Sequence, residues 1–298
     1  MDIRVLKYFL AVANEGSITA AANALYLTQP TLSRQLKELE DELGKKLFNR
    51  SNQRISLTEE GILLRKRANE ILDLVNKTKA EFVDIKENIT GDIHIGCGET
   101  EAFSYIARIT KELQEKYPQI HFHFYSGNSE YVMEKLDKGL FDFGIVIEPV
   151  NVSNYYYLTM PSKEVWGLLM RKDSPLATFN VITASHLANL PIICSRQLLI
   201  ESLSKNNVIN WLGDMATKLN IVATYNLIFN ASILVREGVG YAITLDELVN
   251  TSDESQICFK PFVPKLESGL NIIWKKDQVF SNASMLFLAK VKEVCEFS

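Results

Sequence analysis

A single apolar stripe limits the architecture more than any other feature of the chain. Leu64, Ala68, Ile71, Val75, Thr78, Phe82, Ile85 and Ile89 follow one another at spacings of 4, 3, 4, 3, 4, 3 and 4. Such a repeat is satisfied by one long helix that presents a narrow a/d seam, with charged residues on its other faces. Thr58 suits the cap of that helix and Glu59-Glu60 its positive end, so the spacing predicts a helix over 58–89, closed by Gly91. The narrow, regular seam favours a contact between two copies of the chain. Packing of the helix on its own head is the plainer alternative.

The texture differs on the two sides of this helix. Residues 1–67 hold 11 basic and 8 acidic side chains, a net +3, whereas the remainder holds 21 basic and 28 acidic, a net -7. A basic head on an acidic body suggests a polyanionic partner for the head alone. With 298 residues, 47% hydrophobic and 23% charged, the chain has the composition of about two globular domains and not of a disordered or collagen-like one. No run of about 18 apolar residues suggests a membrane span. The N-terminus has no basic-then-apolar leader, so the expected address is the cytoplasm. Cys97, Cys194, Cys258 and Cys295 lie far apart without a C-x-x-C pair, which argues against a zinc site or a disulfide framework.

The head reads as three short helices and a hairpin. Leu6, Phe9, Leu10 and Ala13 recur at helical spacing before Gly16. Ser17 suits the cap of an alanine-rich second helix, Ile18 to Leu25, and Thr28 that of a third, running to about Leu43 with Pro30 in its first turn. Leu32, Leu36, Leu39 and Leu43 form the buried stripe of the third helix, and Gly44 ends it. Ile55 and Leu57 alternate with polar residues in a two-stranded wing that has Asn52-Gln53 at its tip. Beyond Gly91 the order becomes β-α-β-α-β through Ile147, and a similar unit recurs from Ile192 to Thr244. Strands near Trp166–Met170 and Leu270–Trp274 link the two lobes. Mainly parallel sheets of this kind bind ligands outside the C-terminal strand ends, near helix N-termini.

These residues carry a family resemblance. The run Phe9-Leu10-Ala11-Val12-Ala13, the alanine cluster after Ser17, Leu27-Thr28-Gln29-Pro30-Thr31-Leu32-Ser33-Arg34-Gln35-Leu36, Leu43-Gly44, Leu47-Phe48-Asn49-Arg50 and Leu57-Thr58-Glu59-Glu60-Gly61 together resemble the LysR-type transcriptional regulators. Tyr117-Pro118, Gly139-Leu140-Phe141-Asp142 and Val235-Arg236-Glu237-Gly238-Val239-Gly240-Tyr241 resemble the family's effector domain. The implied fold is α/β with an all-α head. It comprises a winged helix-turn-helix over 1–58, a linker and dimerisation helix over 59–90, and a periplasmic-binding-protein-like effector domain over 91–298. Lobe I of that domain takes about 91–161 and 267–298, and lobe II about 162–266. The resemblance implies sequence-specific DNA binding controlled by a small effector. It also implies a homodimer through the linker helix, assembly to a homotetramer, RNA polymerase as a further candidate partner, and no cofactor.

Residue chemistry supports the DNA reading. Gln29, Thr31, Ser33 and Arg34 lie on the exposed first turns of a capped helix that can enter a major groove, where Gln pairs with adenine and Arg with guanine. Arg50, Arg54 and Lys37 suit phosphate or minor-groove contacts, and by resemblance the helix opened by Ser17 crosses the backbone, with Thr28 and Pro30 setting the start of the reader. For the effector, the strand ends select Thr100, Glu101, Asn128, Ser129, Glu148, Ser195, Arg196, Gln197, Asn226 and Thr244. Arg196 and the helix N-termini suit a carboxylate. Glu99 and Glu101 flank Thr100, a departure from the family pattern that, with Glu148, points to an amine and hence an amino acid. Cys97 and Cys194 suggest a redox switch, but small buried hydrophobes are the commoner role for such cysteines. His94, His121 and His123 share a sheet but lack the partners of a metal site. An enzyme or simple binding protein using the same cleft is the competing class. It lacks G-x-S-x-G, Walker, H-E-x-x-H and complete G-x-G-x-x-G motifs.

Overall fold

The computed structural model describes residues 1–50, 55–81, 89–196, 198 and 207–296. It separates into two compact units, 1–84 and 85–298.

In the first unit each helix start has a chemical cause. Helix α1 (Ile3–Glu15) opens where Asp2 accepts the Arg4 N–H, and closes at Gly16 with φ of 63°. Ser17 accepts the Ala20 N–H at 3.3 Å to start α2 (Ile18–Ala24). Thr28 accepts the Thr31 N–H at 3.4 Å to start α3 (Gln29–Leu43), whose Pro30 sits where no helical donor is needed. Strands β1 (Phe48–Arg50) and β2 (Ile55–Leu57) pair antiparallel from Phe48↔Leu57 to Arg50↔Ile55, making the expected wing. The tip, with Asn52, Gln53 and Arg54, lies outside the described residues. Leu6, Phe9, Val12, Ala21, Ala22, Leu32, Leu36, Leu39, Leu47 and Phe48 close the core, with the Phe9 and Phe48 rings 5.2 Å apart.

Helix α4 (Glu59–Glu81) starts as expected, with Thr58 accepting the Gly61 N–H at 3.0 Å. The beginning of the apolar seam serves a different purpose from the one its spacing suggests. Ala68 is fully buried in the head core, and Leu64 and Ile71 pack against it. An a/d stripe carries no label for its partner, and here the head's own α1 and wing claim its first turns. The large apolar side chains α4 leaves exposed are Ile62, Leu63 and Leu74. Phe82 and Ile85 lie outside the described residues.

The second unit alternates strand and helix: β3 (Gly91–Cys97), α5 (Phe103–Lys116), β4 (Ile120–Ser126), α6 (Ser129–Asp137) and β5 (Phe143–Ile147). β4, β3 and β5 lie parallel in that spatial order, joined by crossovers through α5 and α6. Then β6 (Tyr155–Arg171) runs for 17 residues through both lobes. The second lobe holds β7 (Pro191–Ser195), α7 (Asn207–Leu212), β8 (Asn220–Tyr225), α8 (Ile228–Arg236), β9 (Tyr241–Leu245) and β10 (Ile257–Pro261). The chain returns through β11 (Glu267–Lys275) and ends in α9 (Asn282–Glu296). The first half of β6 pairs antiparallel with β11, which also pairs with β5. Its second half pairs antiparallel with β9 and β10. Two parallel triplets, β4-β3-β5 and β8-β7-β9, are thus joined by two long strands, one of them continuous from lobe to lobe. Strand β10 was not expected; its sequence, Ile257-Cys258-Phe259-Lys260-Pro261, is too short and mixed to register as an element.

Both faces of each sheet are covered. In lobe I, Ile93, Ile95, Phe143 and Ile272 pack under α5 and α9, while Val132, Leu136 and Phe141 cover the other face. Gly144 allows this second layer, since a Cβ there would fall 2.6 Å from Val132 Cγ1 and 2.8 Å from Leu136 Cδ1. In lobe II, Leu168, Ile192, Ile243 and Phe262 form one layer and Leu169, Ile193, Ile228 and Val235 the other.

Candidate functional site

Two regions gather the residues that the sequence singles out. The first is the outer face of α3. Leu32, Leu36 and Leu39 are buried, so helical periodicity turns Pro30, Arg34 and Lys37, spaced 4 and 3, to the opposite side. Gln29, Pro30, Thr31, Arg34 and Lys37 are exposed, and Ser17 and Ser33 are half-buried. The Thr28 and Thr31 hydroxyls bond each other at 2.8 Å, which fixes the first turn. Arg34 lies 3.7 Å from Glu38 in an exposed i,i+4 pair, weak enough to yield to a stronger anion. Arg50 ends β1 opposite Ile55, and Arg54 lies outside the described residues. Tyr26 went unread in the sequence. It stands in the turn before α3 at φ of 56° with 98% of its surface exposed.

The wing is tied to α3 by a buried carboxylate. Glu40, 2% exposed, accepts the Leu47 N–H at 2.8 Å, the Phe48 N–H at 3.4 Å and the Lys46 ammonium at 3.0 Å. Burial alone would raise its carboxyl, but the Leu47 amide, Lys46 and the Phe48 amide together hold it below the ordinary value.

The second region is a cavity of about 90 Å³ between the two lobes of the C-terminal unit. Six of the sequence-selected residues line it: Asn128, Ser129, Glu148, Ser195, Asn226 and Thr244. They come from ends of β4, β5, β7, β8 and β9, as strand-end logic requires. Several are already engaged. Asn128 accepts the Tyr131 N–H at 3.1 Å and caps α6. Glu148 accepts from Asn271 Nδ2 at 2.9 Å, and Asn271 in turn accepts the Thr159 hydroxyl at 3.0 Å. Trp166 and Tyr225 also line the cavity. They carried no sequence signal, because an aromatic in a strand reads first as core. Trp166 donates to Ser268 Oγ at 2.8 Å, and Tyr225 donates to the Ile243 carbonyl at 2.8 Å.

Thr100 and Glu101 stand apart from the lining. Thr100 is buried and donates its hydroxyl to Glu164, which also accepts the Ala102 N–H at 3.3 Å. Burial raises the Glu164 carboxyl above the ordinary range, Glu101 and Glu247 add to the rise, and the bonds from Thr100 and Ala102 oppose it. Arg196 is exposed and is not among the described lining residues; Gln197 lies outside them. Glu99 does line the cavity, and it accepts the Ile228 N–H at 2.5 Å from the opposite lobe.

The cysteines and histidines show different chemistry. Burial, with Glu164 and Glu99 adding to it, pushes the Cys97 thiol up to about 12, and burial pushes Cys194 to about 11. Both thiols therefore stay protonated at neutral pH, the unreactive form. The His94 and His123 rings stack at 4.6 Å, His123 bonds Asp92 at 2.9 Å, and His94 approaches the Tyr125 hydroxyl at 3.2 Å. Among the described residues no three His, Cys, Asp or Glu side chains converge as a metal site, and no helix is long and apolar enough to cross a membrane.

Comparison with known proteins covers both parts of the chain. Residues 3–62 match the family model of the bacterial regulatory helix-turn-helix protein, lysR family, and residues 86–296 match the LysR substrate binding domain. The uncharacterized HTH-type transcriptional regulator YvbU of Bacillus subtilis is 30% identical over 82% of this chain and 81% of its own. YfeR of Shigella flexneri, likewise an uncharacterized HTH-type regulator, is 27% identical over 95% of this chain and 91% of its own. The crystal structure of full-length CbnR with its target DNA superposes with a TM-score of 0.74 at 19% identity, over 99% of this chain and 100% of that one. A capped helix with a polar outer face, a wing, and a two-lobed domain with a cavity at its strand ends thus coincide with two matched family models, and the chain belongs to the LysR family of DNA-binding transcriptional regulators.

Proposed function

We propose that the chain reads a two-fold related DNA site as a homodimer and changes its hold on that site when a small effector, an amino acid or another carboxylate, enters the inter-lobe cavity. The observation that carries this reading is the outer face of α3, where Gln29, Thr31, Arg34 and Lys37 are exposed over a buried leucine stripe. Gln29 and Arg34 read base edges, Ser33 and Thr31 make shorter contacts, and Lys37, Arg50 and Arg54 hold phosphates. Tyr26, exposed in the adjoining turn, joins them as a backbone contact.

Helix α4 dimerises the chain through Ile62, Leu63 and Leu74 and the continuation of its seam, and pairs of dimers assemble into the tetramer. Two half-sites then lie about one DNA turn, or a multiple of it, apart. The effector acts by binding two arrangements of the lobes unequally. The protein works in the cytoplasm, meets RNA polymerase at its promoters, and regulates without catalysing a reaction.

Selection of genomic fragments by the purified full chain, at two salt concentrations and with and without a metabolite pool, tests this. The expected result is a discrete dyad-symmetric site whose affinity falls with salt, by a log–log slope of about 0.9 for each phosphate contacted. Absence of enrichment at either concentration refutes it.

A further inference from the structure

The strands that join the two lobes contain a break. β6 pairs with β11 from Tyr155 to Thr159 and again from Lys163 to Val165, but the register shifts between Asn271 and Gly269. Met160, Pro161 and Ser162 there stand opposite Leu270 alone. A bulge of this kind interrupts the ladder and lets the strand bend, and Pro161 has no N–H with which to restore it. The break lies just ahead of Trp166, where β6 passes from its pairing with β11 to its pairing with β9.

A contact across the cleft restrains this joint. Glu99 follows β3 in lobe I, and its Oε2 accepts the N–H of Ile228, the first residue of α8 in lobe II, at 2.5 Å. Leu227, at the cap position, offers no side-chain acceptor, so the helix takes its cap from the other lobe. A carboxylate at a helix N-terminus gains from the helix dipole, and a charge-assisted hydrogen bond is roughly twice as strong as a neutral one. Glu99 is half-buried and lines the cavity, and its charge is felt on both sides of it. Burial raises the Cys97 thiol of lobe I and the Tyr225 hydroxyl of lobe II, and the Glu99 charge contributes further to each rise.

Resting on the reading that the arrangement of the lobes governs DNA binding, we propose that Glu99 is an inter-lobe latch. Its bond to α8 holds the lobes together in the ligand-free chain, and the bulge between β6 and β11 is the joint that it restrains. The bond joins residues 129 positions apart and belongs to neither apolar core, so its release frees the lobes while each stays folded. A contact of that kind is what a two-state element needs if a small effector is to bias it.

Pulsed electron paramagnetic resonance on the full chain tests this. Spin labels on Glu130→Cys in α6 and Lys218→Cys in lobe II, both exposed positions, report the separation of the lobes. Cys258→Ser and Cys295→Ser remove the half-buried thiols, and an excess of unlabelled chain suppresses distances between copies. The chain with Glu99 intact is expected to give one dominant distance. Glu99→Ala is expected to shift the ratio of open to closed populations about tenfold, and Glu99→Gln, which keeps an acceptor, to shift it less. Glu101→Ala, which removes an exposed acid two residues away and outside the cavity lining, is expected to leave the distance unchanged. A distribution that Glu99→Ala does not alter, or that Glu101→Ala alters equally, overturns the latch. Affinity for the selected DNA site is measured alongside, and Glu99→Ala is expected to change its ligand-free value about fivefold or more. Altered distances with unaltered affinity overturn the regulatory role of the latch. Failure of the wild type to select any DNA site instead counts against the regulator reading and leaves the distance result to stand by itself.

Discussion

Removal of Glu40 should release the wing from the recognition helix. Its carboxylate is 2% exposed and accepts two backbone amides, Leu47 at 2.8 Å and Phe48 at 3.4 Å, besides the Lys46 ammonium. Glu40→Ala leaves both amides without this partner at a position closed to water. A buried donor left unsatisfied costs about 1–3 kcal/mol, and the longer Phe48 bond counts for less, so the loss should be about 2–4 kcal/mol. At about 1.4 kcal/mol per tenfold, the wing amides should exchange with solvent about 30- to 700-fold faster. Hydrogen exchange on the full chain reads this directly. Glu40→Gln keeps an acceptor for Leu47 and loses the charge, so its effect should be smaller. The pH dependence has a definite sign. A carboxyl held below its ordinary 4.5 in the folded state contributes stability that is present above that value and lost as pH falls through the lowered one. Wild-type protection should therefore fall in acid, and that component should be missing from Glu40→Gln. Unchanged exchange at Leu47 and Phe48 in Glu40→Ala would refute the reasoning.

Other substitutions probe separate parts of the molecule. Arg34→Ala should cost about 1–3 kcal/mol of discrimination at one base position, whereas Lys37→Ala should weaken all sequences alike and lower the salt slope by about 0.9; binding titrations at several salt concentrations separate the two. Gly61→Ala should lower the head's melting temperature, because its Cβ would stand 2.2 Å from the Leu47 carbonyl oxygen, a backbone atom that cannot step aside; differential scanning calorimetry reads the shift. Glu164→Gln should stabilise the C-terminal unit at neutral pH. The raised carboxyl favours the fold below its ordinary 4.5, and that benefit is lost as pH rises through the elevated value, so the variant's advantage should vanish in acid melts. Cys97 and Cys194 should react with a thiol reagent at pH 7 only on unfolding, as a time course with and without urea would show.

What was legible in the sequence divides along physical lines. Caps and stripes are local, and they read well. Ser17, Thr28 and Thr58 cap the helices their positions imply, and Gly16 and Gly44 take the left-handed backbone that ends α1 and α3. The strand-helix alternation after Gly91 also reads well, because each turn of texture is marked by Pro118, Gly139 or Gly238. The partner of a stripe is not local. Leu64, Ala68 and Ile71 obey a dimer-like spacing and pack on the head, because spacing fixes which residues share a face and says nothing of what meets that face.

The cavity shows the same limit at the level of single side chains. Strand-end logic selects six residues that line the cavity, and it says nothing of which polar atoms are already engaged. Asn128 gives its Oδ1 to the cap of α6, and Thr100, outside the lining, gives its hydroxyl to Glu164, a residue 64 positions away that no local pattern connects to it. The converse error concerns charge. Arg196 reads as the natural partner of an anion, yet it is exposed and apart from the described lining, while Glu99, which reads with Glu101 and Glu148 as a partner for an amine, accepts the first amide of α8 across the cleft. An acid at a strand end and a helix with leucine at its cap position are each unremarkable. Only the folded chain brings them to 2.5 Å and gives the helix a cap from the other lobe. Strand order points to the cavity, and the polar contacts within it join segments that are distant in sequence.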